Sequence, residues 1–159
     1  MNRRYGYAPC GQRLLDFLPY GHWKTTTFVG GLSARGLIAP MVLDGAMNSD
    51  AFTAYIEQVL AKETGPADLV ILDNLPSHKT AAVRMAFERC HIKYLYLPPY
   101  SPDLNPIENA FSKLKRLVRT AAERTVDGLW SAIGSLINQF RPQECYNYFR
   151  HCGYIATQT

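Results

Sequence analysis

Leu69-Val70-Ile71-Leu72 is an unbroken run of large apolar residues that stops abruptly at Asp73-Asn74. This run constrains the fold more than any other stretch of the chain. It does not alternate, so it lacks the pattern of a strand with one wet face. Its length suits a strand covered on both faces, as in sheets with helices layered against them. The flanking sequence agrees. Upstream, Phe52, Tyr55, Ile56, Val59 and Leu60 recur at helical spacing behind a capping Asn48 or Ser49, and Gly65-Pro66 closes that helix. Downstream, residues 80–90 place Val83, Ala86, Phe87 and Cys90 on one helical face, and residues 92–97 form the next strand. Nearer the start, residues 24–32 (KTTTFVGGL) and 37–43 (LIAPMVL) read as two strands joined by Ser33-Ala34-Arg35-Gly36. That is an antiparallel hairpin, and Pro40 puts its second strand at a sheet edge. The order predicts an α/β protein with a sheet of mixed direction.

The second half reads as helical. A proline-rich loop, Pro98-Pro99-Tyr100-Ser101-Pro102, leads to a long helix that starts near Asn105-Pro106 and runs to about Arg124. Its inward face is Ile107, Phe111, Leu114, Leu117, Val118 and Ala121. A further helix carries Trp130, Ile133, Leu136, Ile137 and Phe140, and Pro142 opens a short last one with Cys145, Tyr148 and Phe149. At 159 residues with 47% hydrophobic, the chain suits a single domain with a sizeable core. No apolar run approaches the roughly 18 residues of a membrane span. Met1-Asn2-Arg3-Arg4 leads into Gly-, Pro- and Tyr-rich sequence rather than an apolar leader, so neither secretion nor membrane embedding is expected. Cys10, Cys90, Cys145 and Cys152 form no CxxC pair and no zinc spacing, which predicts free thiols in a reducing compartment. The formal charge of +4 suits a polyanionic partner without requiring one.

Two carboxylates stand out. Asp73 ends the buried strand, and ligands bind at the carboxyl ends of strands in open α/β sheets. It reads equally as a cap for the following turn. Glu108 opens the long helix. Asn105 as N-cap, Pro106 as first helical residue and Glu108 three positions on would form a capping box that needs no chemistry. Taken together, a strand-end and a helix-start carboxylate can converge on hard divalent cations, the arrangement used for phosphodiester chemistry.

The segments 72–78 (LDNLPSH) and 97–108 (LPPYSPDLNPIE) resemble the second and third acid motifs of a DDE transposase of the mariner-like insertion-sequence group. The upstream residues Gly6-Tyr7-Ala8-Pro9, Gly11-Gln12-Arg13 and Gly21-His22-Trp23-Lys24-Thr25 are similar to that group too, so the likeness covers nearly the whole chain. The resemblance implies an RNase H-like fold and an enzyme that uses two Mg²⁺ or Mn²⁺ ions to cut and join double-stranded DNA at transposon ends and target. It implies that Asp73 and Glu108 are catalytic, metal-binding acids. In the same motifs, Asn74 and His78 would orient the acid or a phosphate, or equally serve as a buried helix-start hydrogen bond, and Asn105 would fix the helix start that aims Glu108. A cytoplasmic, nucleoid-associated protein that self-associates is implied as well.

The sequence departs from the family pattern at its start. The family's first acid lies on a first, central strand upstream of the Gly-Tyr-Ala-Pro segment, and only residues 1–5 precede that segment here. Residues 1–159 are therefore expected to be a single, N-terminally incomplete catalytic domain. The two strands flanking the missing one would be left with unpaired edges, and the missing N-terminal portion would be a partner. Asp16, Asp44 and Asp103 are poorly placed as substitutes. The alternative is a truncated, inactive product that binds DNA or intact transposase. Phosphate contacts are expected from Lys24 and Lys79 beside the motifs, and from Lys113, Lys115, Arg116, Arg119 and Arg124 on the long helix. An ordinary solvated helix face explains the latter set equally well. Trp23 and Trp130 read as core residues.

Overall fold

The computed structural model describes residues 7–15 and 25–154. Asp16, Trp23 and Lys24 lie outside the described residues. Strand β1 (Thr26–Ser33) turns through Gly36, at φ 149°, into β2 (Gly36–Asp44), and the two pair antiparallel. The register slips between Val29 and Gly31, where Ala39 and Pro40 of β2 face the single residue Gly30. Ala39 takes the left-handed φ of 48° at this bulge. Pro40, which has no N–H to give a ladder, is exposed on a strand paired only to β1 among the described residues.

Asn48 caps helix α1 (Ser49–Tyr55) through its side chain. The helix widens into a π-helical turn at Ile56–Leu60 and ends as α2 (Ala61–Glu63). Strand β3 (Leu69–Leu72) and β4 (Lys93–Tyr96) pair in parallel, joined by the crossover helix α3 (Ala81–Arg89), which Thr80 caps. Helices α4 (Ile107–Ala121), α5 (Val126–Ile137) and α6 (Pro142–His151) follow.

The expected single mixed sheet is split. One two-stranded sheet is β1–β2 and the other is β3–β4, with no ladder between them among the described residues. Among the described residues each of the four strands pairs on one edge alone. The hairpin still joins two cores, because alternation sends neighbouring residues to opposite faces. Val29, Ala39 and Met41 pack with Phe52, Tyr55, Ile56, Val83, Phe87, Val70 and Leu72. Phe28, Leu32 and Leu37 pack with Ala110, Leu114, Phe140 and Cys145 of the C-terminal helices.

Several core assignments change. Ala121 is exposed and Ala110 is buried in its stead. Trp130 is 37% exposed, because the fully buried position on α5 goes to Ile133. Helix α4 ends at Ala121 rather than near Arg124, where Ala122 turns left-handed at φ 52°. The described cysteines form no disulfide. Among the described residues no helix is long and apolar enough to cross a membrane.

Candidate active site

Asp73 and Glu108 line one cleft of about 510 Å³. They arrive on elements belonging to different cores. Asp73 follows β3 directly, and the Leu97 N–H donates to the Leu72 carbonyl at 2.8 Å, which extends the β3–β4 ladder to the mouth of the cleft. Pro98, Pro99, Tyr100, Ser101 and Pro102 form the opposite wall before a 3₁₀ turn at Pro102–Leu104 and the start of α4. The two motifs that stood out in the sequence therefore face each other across a single cavity, together with Asn74, Lys79 and Asn105.

Asp73 is tightly supported. Its Oδ1 lies 2.6 Å from Nδ1 of His78. Both atoms are shut off from water and, among the described residues, neither has another hydrogen-bond partner, so each relies on this contact. The His78 side chain is 15% exposed and that of Asp73 is 40% exposed, so the part of the carboxylate open to the cleft is its other oxygen, Oδ2. The His78 hydrogen bond holds the Asp73 carboxyl below the ordinary carboxylate range, against the opposing pull of partial burial, with further help from the His78 charge and the Leu75 backbone.

His78 is itself fixed from three sides. The ring stacks on Phe52 with centroids 4.2 Å apart. Its carbonyl accepts from the Tyr96 hydroxyl at 2.6 Å. Two residues on, the Thr80 hydroxyl is 2.7 Å from that of Ser49, joining the starts of α1 and α3. The spacing of Asp73, Asn74 and His78 is legible in sequence. The parts played by Phe52 and Tyr96 are not, because an aromatic in an apolar stripe carries no sign of which imidazole it will meet.

Glu108 is exposed, and the capping box expected around it does not form. Pro106 occupies the cap position of α4 and no side chain caps the helix. The Asn105 contribution is its backbone carbonyl, 3.2 Å from the Glu108 N–H. Asn105 sits in extended backbone at φ −109° and ψ 93°, after the 3₁₀ turn. The Glu108 carboxylate is thus not committed to its own helix.

The expected cations divide. Lys79 lines the cleft and lies over the Tyr96 ring, 5.6 Å from its centroid. Lys115, Arg116 and Arg119 are exposed on α4 but do not line the cleft. Lys113 is spent inside the fold: its ammonium contacts Glu144 at 2.5 Å, donates to the Gln139 carbonyl at 3.0 Å and lies 4.6 Å from the Phe140 ring centre. Its expected role as a phosphate contact gives way to holding α6 against α4. Among the described residues no group of three or more His, Cys, Asp or Glu gathers as a metal cluster. Asp44 ends β2, exposed, outside the lining of the cleft.

The chain is 48% identical over 75 residues to the transposable element Tc1 transposase of Caenorhabditis elegans, a stretch covering 47% of this chain and 28% of that protein. It is 33% identical over 81 residues to the Tcb2 transposase of Caenorhabditis briggsae, covering 48% and 30% respectively. The matched stretches thus cover less than a third of those relatives. In three dimensions the chain is similar to the Mos1 chain of a strand transfer complex, with a TM-score of 0.50 and 20% identity over 98% of this chain and 51% of that one. At that identity the likeness speaks for the fold, which is the RNase H-like mixed α/β arrangement expected from the sequence. The family model of DDE superfamily endonucleases matches residues 1–129. The chain belongs to the DDE superfamily endonucleases.

Proposed function

We propose that this chain is the catalytic part of a DNA transposase, that it cuts and joins DNA strands with divalent metal, and that Asp73 and Glu108 are its metal-holding acids. One observation carries this reading: two carboxylates from separate cores line a single cleft, each with oxygen to spare. Oδ2 of Asp73 and the Glu108 carboxylate are hard oxygen donors of the kind Mg²⁺ and Mn²⁺ take. When bound, such ions neutralise charge on the attacking and leaving oxygens of a phosphodiester.

The chain's own residues do the rest. His78 keeps Asp73 ionised and fixes which oxygen faces the cleft. Lys79 places a cation on the rim for a phosphate, with Asn74 and Asn105 beside it as hydrogen-bonding groups. Lys115, Arg116 and Arg119 extend positive charge along α4 for the DNA backbone, a contribution that weakens with salt. A cytoplasmic, nucleoid-bound location and self-association at paired DNA ends fit this substrate.

Two acids are fewer than two ions need, and the open edges of β1 and β3 support a source for another. Both strands are backed by one core through Val29, Val70 and Leu72. The same core holds the Tyr55 hydroxyl buried without a hydrogen-bond partner among the described residues. A further strand on such an edge would be one way to bring another carboxylate to the cleft. The competing reading is a chain that binds DNA or intact transposase without cutting.

Nicking of supercoiled plasmid separates the two. Cutting that requires Mg²⁺ or Mn²⁺ and is lost in Asp73→Asn and in Glu108→Gln supports the proposal. Cutting that survives in the double variant overturns the assignment of the acids. Salt-sensitive binding with no cutting under any divalent ion establishes the competing reading.

A further inference from the structure

Tyr100 is the least explained side chain of the cleft. It is 102% exposed, touching essentially nothing of its own protein. Its backbone nonetheless holds the left-handed φ of 54°, a region that bulky side chains seldom occupy. The loop around it is built to keep it there. Pro98 and Pro99 fix two backbone angles before it, and Pro102 opens the 3₁₀ turn after it. Leu97 is buried and hydrogen-bonded to the end of β3, while the Leu104 and Asn105 N–H groups donate to Ser101 and Pro102 carbonyls at 3.2 and 2.9 Å. A left-handed turn between prolines thus carries an aromatic ring free of packing at the rim of the Asp73–Glu108 cleft. Leu75, 49% exposed on the facing wall, extends the apolar rim.

We infer that Tyr100 is a base-stacking contact: its ring packs on the face of a nucleobase next to the phosphate held in the cleft. This inference rests on the DNA-cutting reading above and adds a residue and a mode of contact to it. An aromatic face stacks on any base, so the contact is tolerant of sequence. Holding the ring in place beforehand removes most of the ordering cost of binding. A ring kept for packing would instead be buried, and glycine or asparagine would hold the left-handed turn at lower cost than tyrosine.

The test uses the full 159-residue chain and a fluorescein-labelled duplex of mixed sequence whose single-stranded overhang carries 5-iodouracil. Binding is read by anisotropy, the photocrosslinked residue by mass spectrometry, and folding by the melting temperature. Tyr100→Phe should bind as the parent does. Tyr100→Ala, Tyr100→Leu and Tyr100→Gly should bind about 5- to 150-fold more weakly, the loss of one base stack. The crosslink should fall on Tyr100, and Tyr100→Gly should melt no lower than the parent while binding worse. Unchanged binding by Tyr100→Ala, or Tyr100→Leu binding as well as Tyr100→Phe, overturns the stacking role and leaves the DNA reading intact. A parent chain that binds no duplex even at low salt overturns both together.

Discussion

The two acids of the cleft are held in opposite ways. Asp73 sits at the end of a strand with one oxygen buried against His78, whose ring is pressed on Phe52 and whose carbonyl takes a bond from Tyr96. Glu108 sits on the first turn of α4 with no side-chain cap beside it and its carboxylate in solvent. One acid is placed by the fold before anything binds, and the other is left for a ligand to place. If the two acids hold divalent metal as proposed, one ligand would be set by the fold and the other would be free to adjust. That division predicts that damage to the Asp73 side will register in stability as well as activity, whereas damage at Glu108 will register in activity alone.

The largest effect tests the base of the Asp73 support. Phe52→Ala empties a buried ring position shared by Tyr55 and His78. It should cost about 3–5 kcal/mol in urea unfolding, the range for a buried aromatic. Glu108→Ala, by contrast, should unfold within about 0.5 kcal/mol of the parent, as exposed substitutions do. Equal losses in the two variants would break the comparison.

His78 comes next. Its removal in His78→Ala leaves a buried carboxylate oxygen without a partner, a cost of about 1–3 kcal/mol. His78→Asn, which offers an N–H close to the position of Nδ1, should recover part of it. The pH dependence has a definite sign. The folded Asp73 carboxyl lies below its ordinary 3.8 because of His78, so its stabilising share is present above that pH and is lost as pH falls through the lower folded value. Acid unfolding monitored by circular dichroism should therefore show a smaller loss below about pH 4 in His78→Ala than in the parent. A parallel pair of acid curves would show that His78 does not hold the carboxyl.

How much of this was legible follows from which forces are local. The helix behind Thr80 and the carboxylate at each motif depend on periodicity and neighbouring residues, and they stand where the sequence puts them; the strand Leu69–Leu72 forms there too, but not covered on both faces as expected, since Leu69 is 54% exposed and the other three are only half-buried. The break of the sheet into two ladders was legible only through the family pattern, because strand pairing is a long-range property. Lys113 shows the same limit. Its place on the polar side of a helix says nothing of Glu144 on α6, the partner that absorbs its charge. Tyr100 shows it again: a tyrosine in a proline-rich loop reads either as loop packing or as a DNA contact, and only the structure shows the ring bare.

The smallest prediction sets capping read from sequence against capping found in the structure. Asn105-Pro106-Ile107-Glu108 looks like a capped helix start, and Thr80 looks ordinary, yet the roles are reversed. The Thr80 hydroxyl accepts from the Val83 N–H at 3.4 Å and pairs with Ser49, so Thr80→Ala removes a cap and a tie between helices. It should cost about 1 kcal/mol in urea unfolding, the usual worth of a cap. Asn105→Ala removes no helix cap, since the bond from Glu108 goes to the Asn105 backbone carbonyl, which alanine keeps. Its stability should stay within about 0.5 kcal/mol of the parent. Any loss it does cause should then appear in metal-dependent nicking, because its side chain borders the cleft rather than the helix end. A destabilisation by Asn105→Ala equal to that of Thr80→Ala would restore the capping box, return Glu108 to a structural role and remove the freedom on which its part in the site depends.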